Sequence, residues 1–244
     1  MNYIKVGKLA GRMGHQLAEW NTALSVAEYY ALGFIHQPLK HGWEDKFKFG
    51  ENELRQNSIK FNNIINLPKF NRTDIESIRP QIESNDNTLF ILADSQNLES
   101  HWITEKILKD KWKTSPINQP FEEGFNIGIH IRRGDVTKER YPNRWVSNNE
   151  YVEIIETHLS KYKNYKLHIF SEGTENEFKE FKNHNPIFHL NGDQYKTFNK
   201  MVKCDVLVTG KSGYSYFASI ISEGDIIAIP FWHSYPNIKR ITKL

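Results

Sequence analysis

The sequence predicts an α/β chain of two lobes, the second a doubly wound parallel sheet, and three observations carry that expectation. From about residue 125 onward, short apolar runs alternate with amphipathic segments at the spacing of successive βαβ units. Three of those runs break into polar turns, Arg132-Arg133-Gly134-Asp135, Ser171-Glu172-Gly173 and Lys211-Ser212-Gly213-Tyr214-Ser215. Parallel strands of an open sheet present their ligand-binding turns in this way, at their carboxyl ends. Finally, Lys113 to Pro120 contains two prolines and no periodicity, which suits a linker. The expected lobes are therefore residues 1–118 and 119–244, within a length of 244 residues that can bury a substantial core.

In chain order, Tyr3 to Val6 is a short apolar strand, followed by the glycine-rich turn Gly7 to Gly14. A helix is expected from about His15 to Leu32, with Leu17, Trp20, Leu24, Ala27 and Ala31 at helical spacing. Ile59 to Leu67 and Thr88 to Leu92 read as strands, the second continuous and therefore central. Short helices are expected at Asp74 to Ile78 and, capped by Ser100, from Ser100 to Trp112. In the second lobe Ile127, Ile129 and Ile131 alternate with Asn126, Gly128 and His130 at the period of a pleated strand. Ser147-Asn148-Asn149-Glu150 caps a helix running to about Lys161. There follow a strand Lys166 to Phe170, a helix Glu175 to Phe181, a strand Ile187 to Leu190 and a helix Gln194 to Lys203. A strand Asp205 to Thr209 and a helix Tyr214 to Ser222 lead to Asp225 to Ile229, which closes the sheet before Pro230.

Composition narrows the function classes. A hydrophobic fraction of 39% and a charged fraction of 25% describe an ordinary folded protein. A net charge of +3 is too small by itself to argue for nucleic-acid binding and leaves a local basic cleft open. The one cysteine, Cys204, excludes an intramolecular disulfide and lies in an apolar run, as a buried structural thiol would. No run approaches the length of a membrane span, and the amino terminus lacks a signal-peptide apolar region, so a cytoplasmic protein with no integral membrane segment is expected. Metal-binding motifs are missing: there is no His-Glu-x-x-His, no cysteine pair and no Asp-x-Asp, and the ten histidines are scattered.

Candidate chemistry concentrates on the turns. Arg132 and Arg133 at the end of a buried strand repel each other and resist desolvation, so they stay hydrated, find carboxylates or bind an anion. A phosphate fits the planar guanidinium fork. Facing them, Ser212, Gly213, Tyr214 and Ser215 begin a helix whose backbone N–H groups point at whatever sits there. Each piece has a plain structural alternative: an Arg–Asp135 ion pair, a helix cap at Ser212 or Ser215, or an exposed Arg-Gly-Asp loop. Gly11-Arg12-Met13-Gly14 also fits, in letters, the Gly-x-x-Gly clamp of a single-strand RNA-binding module. It does not fit the dinucleotide fingerprint, and no Walker lysine follows it.

Taken together, the motifs resemble a known family. His130-Ile131-Arg132-Arg133-Gly134-Asp135 is similar to the His-x-Arg-Arg-x-Asp signature of the α-1,2- and α-1,6-fucosyltransferases. Gly11-Arg12-Met13-Gly14-His15-Gln16 resembles the amino-terminal turn of the same superfamily. Phe170-Ser171-Glu172 falls at its Phe-Ser-Asp, and Cys204 through Phe217 resembles its late segment. The resemblance implies two Rossmann-like lobes in a GT-B arrangement, GDP-fucose on the carboxyl-terminal lobe, a glycan acceptor in the cleft, and inverting transfer without a metal or other cofactor. Carried over, Arg132 is the β-phosphate contact, supported by His130 and Arg133, with Asp135 holding the turn. Gly14, Ser171, Glu172, Ser212, Gly213, Tyr214 and Ser215 join the substrate site, and Asp193 is a candidate for the guanine edge. His15 is the candidate base. It replaces the family's asparagine, while Lys211, Gly213 and Tyr216-Phe217 are further departures that leave donor and acceptor identity open. A non-catalytic nucleotide- or sugar-binding relative, or a transferase using another nucleotide-sugar, is the alternative.

Overall fold

Ten β-strands, all paired in parallel, carry the architecture of the described residues. The computed structural model describes residues 1–68, 75–93, 100–232 and 234–244. They divide into two compact units, Met1–Asn118 with Trp232–Pro236, and Gln119–Phe231 with Asn237–Leu244.

In the first unit β1 (Tyr3–Val6), β2 (Gly33–Phe34), β3 (Asn63–Leu67) and β4 (Thr88–Leu92) form a sheet in the order β2-β1-β4-β3. The continuous apolar run Thr88–Leu92 is central, as expected, because a strand covered on both faces gains nothing from alternation. Helix α1 (Met13–Tyr30) is buried along most of its length, and several of its buried positions are polar. The Ser25 hydroxyl has no hydrogen-bond partner, but the longer polar side chains do. Gln16 donates to the Gly11 carbonyl at 3.0 Å and accepts from the Lys40 amide at 2.7 Å, and Asn21 donates to the His101 carbonyl at 3.0 Å. The helix ends earlier than the expected Leu32 because Ala31 takes a left-handed conformation (φ 53°) and returns its N–H to the Ala27 carbonyl. Beyond it come α2 (Trp43–Phe47), α3 (Arg79–Glu83) and α4 (Glu105–Thr114).

Several expectations in this unit are corrected. Only Asn63–Leu67 of the run from Ile59 pairs as a strand; Gln56–Ser58 is a 3-10 turn and holds Ile59 outside the sheet. The helix placed at Asp74 to Ile78 begins at a residue outside the described set, and Ile75–Ile78 is a 3-10 turn leading into α3, with Pro80 in its first turn. Ser100–Thr104 is likewise 3-10, and the proposed Ser100 side-chain cap lies outside the described residues.

The second unit is a sheet of six strands in the order β10-β9-β8-β5-β6-β7. Its members are β5 (Phe125–His130), β6 (Tyr165–Ser171), β7 (Ile187–Leu190), β8 (Val206–Thr209), β9 (Asp225–Ala228) and β10 (Ile241–Lys243). Helices α5 (Asn148–Ile154), α6 (Gln194–Lys203) and α7 (Gly213–Ile221) connect them. The capping box at Ser147 and Glu150 is present, and α5 continues as a π-helical turn over Ile155–Leu159. Glu175–His184 is 3-10 and broken at Phe178 rather than an α-helix. The sheet does not close at β9: three residues of β10 add an edge strand that its short, mostly exposed sequence hid.

From β5 the chain winds one way through β6 and β7, and the other way through β8 and β9, so the winding reverses between β5 and β8. In an open α/β sheet that reversal leaves a crevice at the carboxyl ends of the two strands. The core beneath it includes Ile127, Ile129, Ile131, Ile169, Val206 and Val208. Gly128 sits where a methyl group would meet the Cys204 Sγ at 2.6 Å and the Phe170 ring at 2.9 Å. Cys204 is buried, its Sγ donates to the Lys200 carbonyl at 3.2 Å, and burial pushes its thiol pKa up, as suits a packing residue.

We expect Gly128→Ala to lower the unfolding free energy by about 1–3 kcal/mol, the usual range for overpacking. Adding Cys204→Ala should recover part of that loss, because it removes the nearest atom. Urea unfolding of the two single variants and the double variant reads both effects, and an unmoved midpoint in Gly128→Ala would refute this packing account.

Candidate functional site

The crevice between the carboxyl ends of β5 and β8 is built by one buried side chain. His130 ends β5, and its Nδ1 lies 3.0 Å from the Ser215 hydroxyl in the first turn of α7. Above it the Tyr151 hydroxyl donates to the His130 carbonyl at 3.3 Å. Gly210, between β8 and α7, fits because it lacks a side chain: a Cβ there would lie 2.6 Å from the His130 carbonyl oxygen. Burial, with a smaller contribution from the Arg132 charge, holds the His130 pKa down to about 3, so the imidazole is neutral and acts by hydrogen bonding. The consequence is a fixed spacing between the arginine turn and the start of α7.

At that helix start, Ser212 is the cap and its hydroxyl accepts from the Tyr214 amide at 3.3 Å. The Gly213 and Ser215 amides belong to the first turn, whose N–H groups lie outside the intrahelical ladder. The expected hydroxyl contacts change character. Ser215 is buried against His130 and accepts from the Gly210 amide at 3.2 Å. Tyr214 turns its ring between His130 and Phe198, its hydroxyl donates to the Gln194 carbonyl, and burial pushes its pKa up. Tyr214 therefore ties α7 to α6, and the helix start offers a ligand backbone N–H groups rather than a phenol.

The two arginines divide their work. Arg132 keeps its side chain about one fifth exposed and pairs with the Asp135 carboxylate, the intraloop ion pair that the structural alternative anticipated. Arg133 is turned inward. It donates to the Arg132 carbonyl at 3.0 Å, the Val146 carbonyl at 2.9 Å and the Asn148 side chain at 2.8 Å, and it stacks 3.8 Å above the Trp145 ring. Three of its five N–H donors bond within the loop between β5 and α5, so the two half-buried arginines differ in their partners, uncharged groups for Arg133 and a carboxylate for Arg132. Gly134 completes the turn with φ of 73°, and a side chain there would strike the Glu172 carboxylate at 2.1 Å. Glu172 itself is exposed. Ser171, the last residue of β6, donates to the Ile131 carbonyl at 2.9 Å and fastens the arginine turn from the other side. Asp193 caps α6 by accepting from the Lys196 amide at 2.9 Å, and its carboxylate is exposed at a helix start that Tyr214 ties to α7.

In the first unit, Gly14 and His15 lie in the first turn of α1. His15 lines a cavity of about 320 Å³ at the carboxyl ends of β1 and β4, together with Lys8, Glu19, Asn66, Ile91 and Ala93. Its Nε2 is 3.1 Å from Glu19 Oε1, and the other Glu19 oxygen accepts from the Ala10 amide at 3.1 Å. Sequence reasoning passed over Glu19. The available signal was its position four residues after His15, on the same helix face, amid otherwise apolar and small residues.

Among the described residues no group of three or more His, Cys, Asp or Glu side chains could hold a metal ion, and no helix is long and apolar enough to cross a membrane.

A family model described as glycosyl transferase family 11 matches residues 99–241, which include the arginine turn, the β6 end and the start of α7. No curated protein matches the chain by sequence. Among solved structures, POFUT1 in complex with GDP-fucose matches with a TM-score of 0.52 at 11% identity, covering 91% of this chain and 96% of that one. POFUT1 in complex with GDP gives 0.47 at 12% identity, covering 91% and 96%. At such identity the first likeness speaks for the fold, which is α/β of the GT-B type.

Because His130 is neutral when folded and has an ordinary histidine pKa near 6.5 when unfolded, the unfolded chain binds the extra proton as pH falls. Its contribution is fully present above pH 6.5 and is lost toward pH 3. The buried His101, also held to about 3, acts with the same sign. His130→Asn should therefore shrink the stability lost between pH 7 and pH 5 by about 1–2 kcal/mol, at roughly 1.4 kcal/mol per pH unit. Urea unfolding at the two pH values measures it.

Proposed function

Since the chain belongs to glycosyl transferase family 11, within the fucosyltransferase superfamily, we propose that it transfers fucose from GDP-fucose to a glycan hydroxyl, inverting the anomeric carbon and using no metal. The observation that carries this reading is the β5–β8 crevice, where Arg132 and the amide-lined start of α7 are held together by the His130–Ser215 contact. That pairing suits a diphosphate.

As the bond between fucose and the β-phosphate breaks, negative charge grows on the leaving GDP while the anomeric carbon becomes cationic. A guanidinium and oriented N–H groups act most strongly on that developing charge, which is what lowers a barrier rather than merely tightening binding. Asp135 neutralises Arg132 before the donor arrives. A diphosphate carries more charge and offers the guanidinium two oxygens, so it competes well for the same fork. Arg133 keeps the loop in shape from within, and Ser171 and Glu172 buttress the turn. Asp193, at the start of α6, is assigned to the guanine edge. The second unit is the donor unit and the first is the acceptor side, where His15 takes the proton of the attacking hydroxyl. The protein is assigned to the cytoplasm.

Arg132→Lys retains the charge but loses the bidentate geometry. We expect a fall in kcat of at least about a hundredfold, the scale on which losing one transition-state donor acts, with GDP affinity reduced much less. Initial rates of GDP release and calorimetry with GDP separate the two. Wild-type rates should be the same in EDTA as in magnesium, and dependence on added metal would overturn the metal-free assignment. Calorimetry against a panel of nucleotide-sugars tests the donor directly.

A further inference from the structure

We infer that helix α6 is an acid-released strap, fastened to the sheet of the second unit by the neutral histidine pair His168 and His189, and that its release loosens the Asp193 side of the donor site. The link to the donor rests on the assignment of Asp193 made above. A chain of hydrogen bonds runs from α6 through β7 and β6 to β5. Lys200 Nζ lies 3.1 Å from His189 Nδ1, His189 Nε2 lies 3.0 Å from His168 Nδ1, and His168 Nε2 lies 3.0 Å from Asn126 Oδ1. Both ends fix its direction. An ammonium only donates, so His189 Nδ1 accepts and the hydrogen of that ring sits on Nε2. It is donated to His168 Nδ1, which leaves the second hydrogen on His168 Nε2, facing the Asn126 oxygen. Asn126 agrees, because its Nδ2 donates to the Glu122 and Gly124 carbonyls at 2.8 and 3.0 Å. Each ring nitrogen thus has one partner and one role. A further proton on His168 sets two N–H groups head to head, and one on His189 sets an imidazolium against the Lys200 ammonium.

The surroundings raise that cost. His168 and Asn126 are buried, and His189 and Lys200 are half-buried. Phe170 lies 4.9 Å from His189 and Phe121 4.9 Å from His168, between ring centroids. The charges around the pair are Lys200 from α6, Lys166 from β6, and Glu122 ahead of β5, which pairs with Lys166 at 3.1 Å. Asp205, ahead of β8, accepts from the Asn126 amide at 2.7 Å. Burial first, then the Lys200 charge, lowers the His189 pKa to about 4 against the opposing Glu122, and burial lowers that of His168 too.

The other polar ties of α6 do not titrate in this range. Asn199 accepts from the Gln119 amide at 3.2 Å and donates to its carbonyl at 3.0 Å, and Tyr214 holds the Gln194 carbonyl at the start of the helix. When α6 lifts, the histidines regain water and a pKa near 6.5, so the open form binds protons that the seated form refuses. The advantage of the seated form is therefore full above pH 6.5 and is lost toward pH 4. Between pH 7 and pH 5, His189 alone raises the opening constant about twentyfold.

Hydrogen exchange of the full chain tests this, read as protection factors so that the intrinsic pH dependence of exchange cancels. Protection of Gln194–Lys203 should fall at least about twentyfold from pH 7 to pH 5, and at pH 5 should lie at least about tenfold below that of β5, the mark of a local opening. His189→Gln keeps one donor and one acceptor but removes the titration, so its fall should be about twentyfold smaller. Nitrogen-15 ring spectra of the wild type at pH 7, which need no variant to fold, should show hydrogen on Nε2 of both rings. With GDP at about ten times its dissociation constant, α6 protection at pH 5 should rise about tenfold, because a ligand of the seated form suppresses opening in that ratio. A wild-type fall under about threefold, equal protection of α6 and β5 at pH 5, or an undiminished fall in His189→Gln would each overturn the inference. So would hydrogen on Nδ1 of either ring, or bound GDP that leaves α6 protection unmoved. If GDP does not bind at all, the donor assignment fails, and exchange without ligand decides whether α6 is an acid-released strap.

Discussion

The contact between His130 and Ser215 is the constraint on which the second unit's site depends. Parallel pairing of β5 with β8 brings two strand ends side by side, but pairing alone leaves the turns beyond them free to diverge. A neutral imidazole at the tip of one strand, bonded to a hydroxyl in the first turn of the helix that follows the other, removes that freedom. Its neutrality matters: a protonated ring would add a third positive charge beside Arg132 and Arg133 in a dry setting. Burial prevents that, and the cost appears instead as sensitivity of folding to acid.

Around that contact, the chemistry is divided by partners. Arg133 is spent inside the loop, on two carbonyls, an asparagine and a tryptophan face, and none of those partners carries charge. Arg132 stays at the rim with Asp135 as its partner. A partly exposed ion pair of this kind contributes little to stability. The same division holds at α7, where the hydroxyls of Ser215 and Tyr214 are directed inward and the backbone faces outward.

The first unit repeats the logic with other residues. Its cavity likewise lies at the carboxyl ends of a central pair of strands, β1 and β4. The family match begins at residue 99 and so leaves this unit's motif outside it. What is known of His15 therefore comes from its own surroundings, above all the buried carboxylate one helical turn away.

Local patterning in the sequence determined the strand Tyr3–Val6, the central run Thr88–Leu92, the capping box at Ser147 and the order of strands and helices in the second unit. It also determined which turns hold the charged and hydroxyl residues, because these signals depend on neighbours within a few residues. Elements that exist only through a partner were illegible: β2 and β10 have two and three residues and are strands solely because an adjacent edge pairs with them. The same holds for side chains. Two adjacent arginines read alike, and only packing gives Arg133 uncharged partners and Arg132 a carboxylate; Tyr214 and Ser215 look like ligand hydroxyls until their partners appear. Glu19 reads as an ordinary helix charge until its burial is known. Tertiary structure alone decided which polar groups face a ligand, since hydrogen bonds made across the fold use up donors and acceptors that composition and spacing leave uncommitted.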